Sequence, residues 1–330
     1  MSEPLWIPEQ DVVALMSLGE AIPALEAALR EEAAGGAANM PKTLLQFGKS
    51  NLHALGARLD GLVGTKTWAH TEGGTCPLLL LWDAGNGGLV AVIEAFALGN
   101  MRTGGLSGLA TKWMATADAS VLGLIGTGKQ AMSQAAAVLA VRPIKRIQVF
   151  SPRAESRAAF AVRARAEFGV EALDVPSTAA ACRGAQVVTL ITRAASPFLT
   201  AAMLERGVHV NAAGAIAPDR EEFAQDVFDR ASVVAVDNLS TVKTLSREFM
   251  TRYQCRGWDE VHALSALIAA GRRREPADDL SLFKAMGMGI SDLALGAEIV
   301  KRARRAGAGR PLPQPQKAKP RLGGAQKETT

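Results

Sequence analysis

Aromatic residues are scarce in this chain of 330 residues, which has one Tyr, five Trp and ten Phe. Cysteine is scarcer still. Cys76, Cys182 and Cys255 lie far apart, which excludes a disulfide framework and leaves no metal-ligand spacing. Reduced thiols in a cytoplasmic protein are the expectation. His53, His70, His209 and His262 are scattered without Cys, Asp or Glu partners at useful spacing, so no metal site is expected. No apolar run is long enough to cross a bilayer, and the opening Met-Ser-Glu-Pro-Leu-Trp lacks a secretion signal's basic and apolar regions. The body also lacks an excess of either charge. Of the net +5, the segment from Arg310 supplies four, through Arg310, Lys317, Lys319, Arg321 and Lys327 against Glu328. Neither nucleic acid nor membrane is therefore an expected partner.

What is present is 48% apolar and 21% charged residues, the balance of a globular protein, over a length that allows two domains. Residues 11–34 carry apolar positions at helical spacing, broken near Gly19, with Pro23 expected in the first turn of the second piece. Strands are expected at 40–47, 61–68, 77–82 and 89–96, the last two joined by a hairpin turn over Asp83–Gly88. This section shows no strand–helix alternation. A helix over 100–117 leads out of it, and from Ser120 the rhythm becomes β-α-β. Strands at 121–125, 146–150, near 173–175, 185–191, 208–212 and 232–236 alternate with helices at 129–140, 154–168, 177–182 and 201–205. That pattern predicts an α/β fold with a mostly parallel, doubly wound sheet. Residues 240–273 read as helix, 292–306 as a last amphipathic helix, and 309–330 as a disordered basic tail.

The stretch Val121–Ala131 reads Val-Leu-Gly-Leu-Ile-Gly-Thr-Gly-Lys-Gln-Ala, a strand feeding a glycine turn and a helix start. Gly126 allows the tight turn, Gly128 lets backbone approach a pyrophosphate, and Ala131 permits close helix–sheet packing. The free N–H groups and partial positive charge of the helix start suit phosphates. An acidic residue for the ribose 2′-OH is expected roughly 20 residues past the glycines. The stretch Val149-Phe150-Ser151-Pro152-Arg153 has none. Ser151 and Arg153 suit a 2′-phosphate instead, so NADP(H) is the preferred cofactor, with NAD(H) possible.

Met40-Pro41-Lys42, Gly64-Thr65-Lys66, Arg102-Thr103, Gly126–Ala131, Asn211–Glu222 and Leu282–Gly287 follow one another in a set order. On these motifs the chain, over about residues 10–305, resembles the ornithine cyclodeaminase/mu-crystallin family. The resemblance implies a Rossmann domain, 118–287, inserted in a smaller α+β substrate-binding and dimerisation domain, 1–117 completed by 288–308. It implies a homodimer built through the latter. It also implies that the cations Lys42, Lys66 and Arg102 hold an amino- or imino-acid carboxylate beside the nicotinamide, with Arg220 where a substrate-contacting lysine can occur. Charge-assisted bonds make such a clamp chemically reasonable. Lys66, on an otherwise apolar strand between Val63 and Trp68, is expected to be partly buried, to have a lowered pKa and to donate a proton. The cofactor set implied is Thr103, the turn Gly126, Thr127, Gly128, Lys129, Gln130 and Ala131, then Ser151, Arg153, Thr189, Thr192, Asn211, Ala212, Ala285 and Met286. Glu222 is expected to fix its loop, and His209 to be structural.

Ile216 is a departure. Cyclodeaminases and alanine dehydrogenases of the resembled family carry an aspartate there for the proton, water and amine steps, whereas the mu-crystallin branch lacks it and resembles ketimine reductases. The expected function is NAD(P)H-dependent reduction of a cyclic imino acid of the pyrroline-2-carboxylate type. Three alternatives stay open: ornithine cyclodeamination, alanine-type dehydrogenation, and non-catalytic binding of NADP(H) by a crystallin-like protein.

Overall fold

A computed structural model describes residues 3–320. Two sheets organise them, giving the expected α/β class. The first has nine strands. Its path runs Arg310–Pro311, Leu5–Ile7, Leu89–Glu94, Leu78–Asp83, Leu62–Thr71, Ser50–Leu59, Ala37–Asn39, with Thr43–Phe47 also on Ser50–Leu59 and Gly74–Thr75 on Leu62–Thr71. Only the pair Leu5–Ile7 and Leu89–Glu94 is parallel. The second sheet has eight strands, all parallel, in the order Glu171–Asp174, Arg146–Phe150, Val121–Ile125, Val187–Leu190, Val208–Ala212, Leu280–Lys284, Ala231–Val236, Val261–Ala263. Its order reverses between Val121–Ile125 and Val187–Leu190, the switch point at which doubly wound sheets open a crevice at their carboxyl ends.

Helix Phe96–Met114 connects the sheets, and the Glu9 carboxylate caps it by accepting from Phe96 N at 3.1 Å and from Ala97 N. At the other end the Arg142 guanidinium donates to the carbonyls of Thr111, Lys112, Ala115 and Thr116 at 2.7–2.9 Å. These caps meet the unpaired backbone groups that every helix end leaves. A Cβ on Gly104 would stand 2.7 Å from Ser133 O, and one on Gly108 2.7 Å from Ala137 O. The two glycines therefore let this helix meet Ala131–Leu139 backbone to backbone. Helix Gly289–Ala306 returns to the first sheet, burying Leu293, Leu295 and Ile299 in one core with Leu79, Leu81 and Ile93. Four aromatics gather elsewhere: Phe223, Phe228, Phe249 and Tyr253 pack ring on ring with centroids 5.0–6.5 Å apart.

Several elements differ from expectation. Strand Ser50–Leu59 carries Asn, Ala, Gly and Leu rather than β-branched residues, and pairing on both sides makes it a strand all the same. The region 240–273 is three short helices, Leu239–Leu245, Arg247–Tyr253 and Leu264–Ala269, parted by a turn at Gly257 (φ +91°) and strand Val261–Ala263. Leu280–Lys284, not read as a strand, is a wholly buried one inserted between Val208–Ala212 and Ala231–Val236. Pro23 lies past the first turn of helix Leu18–Ala33, which begins at a Ser17–Glu20 capping box. The Gly19 carbonyl that loses its i+4 donor there sits on an exposed residue, where water can serve it.

The expected disorder from 309 does not hold for the first part of the tail. Arg310–Pro311 pairs with Leu5–Trp6, Leu312 N donates to Pro4 O at 2.7 Å, and the Gln314 amide exchanges two bonds with Leu89 backbone. Backbone pairing thus orders a segment whose apolar content is too low to pack. Residues 321–330 lie outside the described part.

Close packing at Gly108 and open space at Gly19 predict opposite signs for one substitution. Gly108→Ala should destabilise by about 1–3 kcal/mol by overpacking, whereas Gly19→Ala, with nothing within 4 Å of the added carbon, should stabilise by about 0.5–1 kcal/mol. Urea unfolding monitored by circular dichroism measures both.

Candidate active site

Backbone conformation builds the first wall of the crevice. After Ile125 the chain turns at Gly126, whose φ of +112° and close approach to the Ile191 carbonyl leave no room for a Cβ. Two residues on, Gly128 has nothing within 4 Å of where a Cβ would be. Among the described residues none accepts from the N–H groups of Thr127, Gly128, Lys129 or Gln130. The helix begins at Ala131, wholly buried, rather than at Lys129. A row of free amides beside an open glycine at a helix start fits the pyrophosphate of a dinucleotide. Beyond the next strand Ser151 is buried and Arg153 exposed. Arg157, one turn on, donates to Ser151 O at 3.2 Å.

The opposite wall differs in part from expectation. Thr189 and Asn211 are fully buried, with Asn211 Nδ2 donating to Thr111 Oγ1 at 3.0 Å and lying 3.5 Å from Thr189 Oγ1. Asn211 Oδ1 meets His209 Nε2 at 3.0 Å, and His209 Nδ1 meets Ser281 Oγ at 2.9 Å. These side chains tie the bridging helix to the second sheet and have no surface to offer a ligand. Burial pushes His209 down to about 3, so the ring stays neutral, and its role is structural. Ala212 and Ala285 join through Ala285 N to Ala212 O at 3.1 Å, while Met286 N and Gly287 N donate to the buried Asp237 at 2.7–2.9 Å. Thr192 gives both its N and its hydroxyl to Glu222, which does fix the loop: its other oxygen accepts from Gly214 N and Ala215 N.

The cations converge where the two sheets meet. Lys66, 3% exposed, places Nζ 2.5 Å from Asp292 Oδ1. Arg102 Nε stands 3.4 Å from the same oxygen. Strand Leu62–Thr71, helix Phe96–Met114 and helix Gly289–Ala306 each contribute one member. Burial pushes the Lys66 ammonium down to about 8, Arg102 pushes the same way, and Asp292 opposes them. Lys42, half-buried just before strand Thr43–Phe47, is lowered by burial and by Arg102. Among the described residues, Asp292 Oδ2 is buried without a hydrogen-bond partner, and Arg102 Nε has only its ion contact with Asp292. Gly287 (φ +85°) lies under the guanidinium, where a Cβ would come within 2.6 Å of Arg102 Nη1. Lys66 Nζ sits 5.4 Å from the Trp68 ring centre, and His53 stacks on that ring at 4.6 Å. Burial and Lys42 lower the His53 pKa, which leaves this wall uncharged.

Two further predicted residues are placed otherwise. Arg220 donates to Arg193 O at 2.8 Å and pairs with Asp219 at 3.2 Å, and no contact joins it to the cluster. The Thr103 hydroxyl donates back to Gly99 O at 2.9 Å. Asp292 and Asp237 were missed as site residues. A carboxylate in the apolar run Gly289–Gly296 was the available signal for the first, and one at a strand's carboxyl end for the second.

A profile of the ornithine cyclodeaminase/mu-crystallin family matches residues 4–307. A Bacillus cereus Delta(1)-pyrroline-2-carboxylate reductase is 30% identical over 236 residues, 70% of this chain and 72% of that protein. An archaeal alanine dehydrogenase dimer with bound NAD superposes with a TM-score of 0.87 at 29% identity, over 94% of this chain and 99% of that one. The Thermococcus litoralis Delta(1)-pyrroline-2-carboxylate reductase in complex with NADH and L-proline gives 0.86 at 25% identity, over 93% and 100%.

The charge balance around Lys66 makes a prediction about pH. Its ammonium is present below about 8 and lost above it. Asp292→Asn removes the partner that raises this pKa, so the proton should leave at lower pH. Titration of the Lys66 Cε resonance in carbon-labelled protein reads the shift, and a midpoint that stays or rises would exclude the assignment.

Proposed function

Because the chain belongs to the ornithine cyclodeaminase/mu-crystallin family and is an NAD(P)-dependent oxidoreductase, we propose that it reduces cyclic imino acids of the pyrroline-2-carboxylate type. The observation that carries this reading is the buried Lys66, which shares the Asp292 carboxylate oxygen with Arg102. Arg102 and Lys42 bind the substrate carboxylate, Arg102 through two parallel bonds and Lys42 as a point charge. Lys42, Lys66 and Arg102 outnumber the one carboxylate that Lys66 and Arg102 share, which supports an anion completing the cluster. The cofactor, when bound, supplies a hydride to carbon. Lys66 supplies the proton at nitrogen, and a pKa near 8 keeps it charged at neutral pH yet ready to give the proton up. The C=N bond becomes CH–NH, with nothing to expel.

Ile216 supports reduction of an imine already formed. Its side chain is 43% exposed on the loop that Glu222 holds, and it can neither take a proton nor hold water or ammonia. The similarity to an alanine dehydrogenase keeps oxidative deamination as the second reading. Ser151 with the exposed Arg153 supports NADP(H) over NAD(H). A homodimer is part of the proposal. One hairpin exposes Leu44, Leu45, Phe47 and Leu52, each 43–62%, as a face for a second copy, and an archaeal relative is dimeric. Three unpaired cysteines suit the cytoplasm.

Addition of 1-pyrroline-2-carboxylate should consume reduced-cofactor absorbance. Lys66→Met should lower kcat by about 100-fold or more, and Arg102→Lys should raise KM by about 10–100-fold, the worth of a charge-assisted bond. Turnover of L-alanine in place of every cyclic imine would hand the site to the second reading. Arg153→Ala should cut the preference for the phosphorylated cofactor by about tenfold, and an unchanged preference would remove Arg153 from that role.

A further inference from the structure

Away from the cation cluster, three ionisable side chains are fully buried at the carboxyl ends of the second sheet: Glu222, Glu248 and Lys284. Glu222 Oε1 accepts from Thr192 N at 2.6 Å and Thr192 Oγ1 at 2.8 Å, and its Oε2 from Gly214 N and Ala215 N at 2.9 Å each. An ionised carboxylate, an acceptor on both oxygens, can take all four of these bonds at once. Burial pushes this carboxyl's pKa up, while Lys284 and the donors push it back. A side chain at Gly214 would collide with both Thr192 backbone and Glu222 Oε1, so glycine is the residue that lets the two loops close on the carboxylate.

The contacts extend further. Glu222 N donates to Glu248 Oε1 at 3.1 Å, and Glu248 also accepts from Ser246 Oγ at 2.8 Å and from Lys284 Nζ at 3.3 Å on both oxygens. Lys284 ends strand Leu280–Lys284, and the chain runs on through Ala285 and Met286 to Gly287 beneath Arg102. One buried chain of charge-assisted bonds therefore links the loops after Val187–Leu190 and Val208–Ala212 to the segment under the cation cluster. A salt bridge of this kind adds little net stability compared with apolar packing, yet losing one member is costly. Such a network fixes geometry better than it stabilises.

We propose that Glu222 is a positioning residue for hydride transfer: by clamping these two loops it sets where the nicotinamide lies relative to the Lys66–Arg102 cluster. The proposal rests on the reductase reading for its chemistry. A displacement of 1 Å between reacting groups costs about 100-fold in rate, so the clamp acts on kcat more than on binding.

Glu222→Gln keeps size and burial but turns an N–H₂ toward donors, which releases one loop. The amides of Gly214 and Ala215 should then exchange at least about tenfold faster while those of Val208–Asn211 keep their protection. With a cyclic imine, kcat should fall by about 30–100-fold. The primary isotope effect with 4-deuterated reduced cofactor should rise, and cofactor Kd should move less than about threefold. Wild-type kcat and isotope effect, or cofactor affinity lost in step with kcat, would overturn the proposal. Should Glu222→Gln fail to fold, Thr192→Val removes one donor only and carries the same test, with an unchanged isotope effect as the refuting result. If the wild type reduces no cyclic imine, the reductase reading falls by itself. The clamp is then decided by amide exchange and the emission of bound reduced cofactor, and emission and exchange like the wild type's would refute it.

Discussion

The bond between the Lys66 ammonium and the Asp292 carboxylate is the contact on which the arrangement of this molecule turns. The residues are 226 positions apart, one on a strand of the first sheet and one on the last helix. Neither charge tolerates burial alone, because an unpaired ion in a protein interior costs several kcal/mol. The last helix must therefore return to the first sheet once the second is complete. Arg102, from the helix between the sheets, shares the same oxygen, so three distant segments are brought together by one carboxylate.

That convergence leaves positive charge over. Lys66 and Arg102 share Asp292, Lys42 stands near Arg102, and Asp237 spends its oxygens on the backbone of Met286 and Gly287. The proposal that the cluster takes a substrate carboxylate rests on this imbalance. The His53–Trp68 stack lies beside it, with the Lys66 ammonium 5.4 Å from the Trp68 ring centre.

The second sheet contributes precision of position. Two groups of buried polar side chains act around it. Thr111, Asn211, His209 and Ser281 lock the bridging helix onto the sheet with neutral hydrogen bonds. Glu222, Glu248 and Lys284 hold the loops at the carboxyl ends with charged ones. Both groups sit where a sheet packed only by Val, Leu and Ala would leave loops free to shift, and the switch-point crevice needs them still.

The order of strand and helix from Val121 to Val236, the glycine turn, and the candidacy of Lys42, Lys66 and Arg102 were all legible in the sequence. Each depends on local periodicity, turn chemistry or a short motif, and such signals survive without knowledge of what packs against them. Strand Leu280–Lys284 was not legible, because its place between Val208–Ala212 and Ala231–Val236 is decided by two ladders of partners and not by propensity. Nor was the partner of Lys66, nor the burial that removed Thr189 and Asn211 from the ligand surface. Residues alone determined which groups can carry charge. Tertiary structure decided which of them meet, since pairing across 226 positions is set by the packing of whole elements and leaves no trace in spacing.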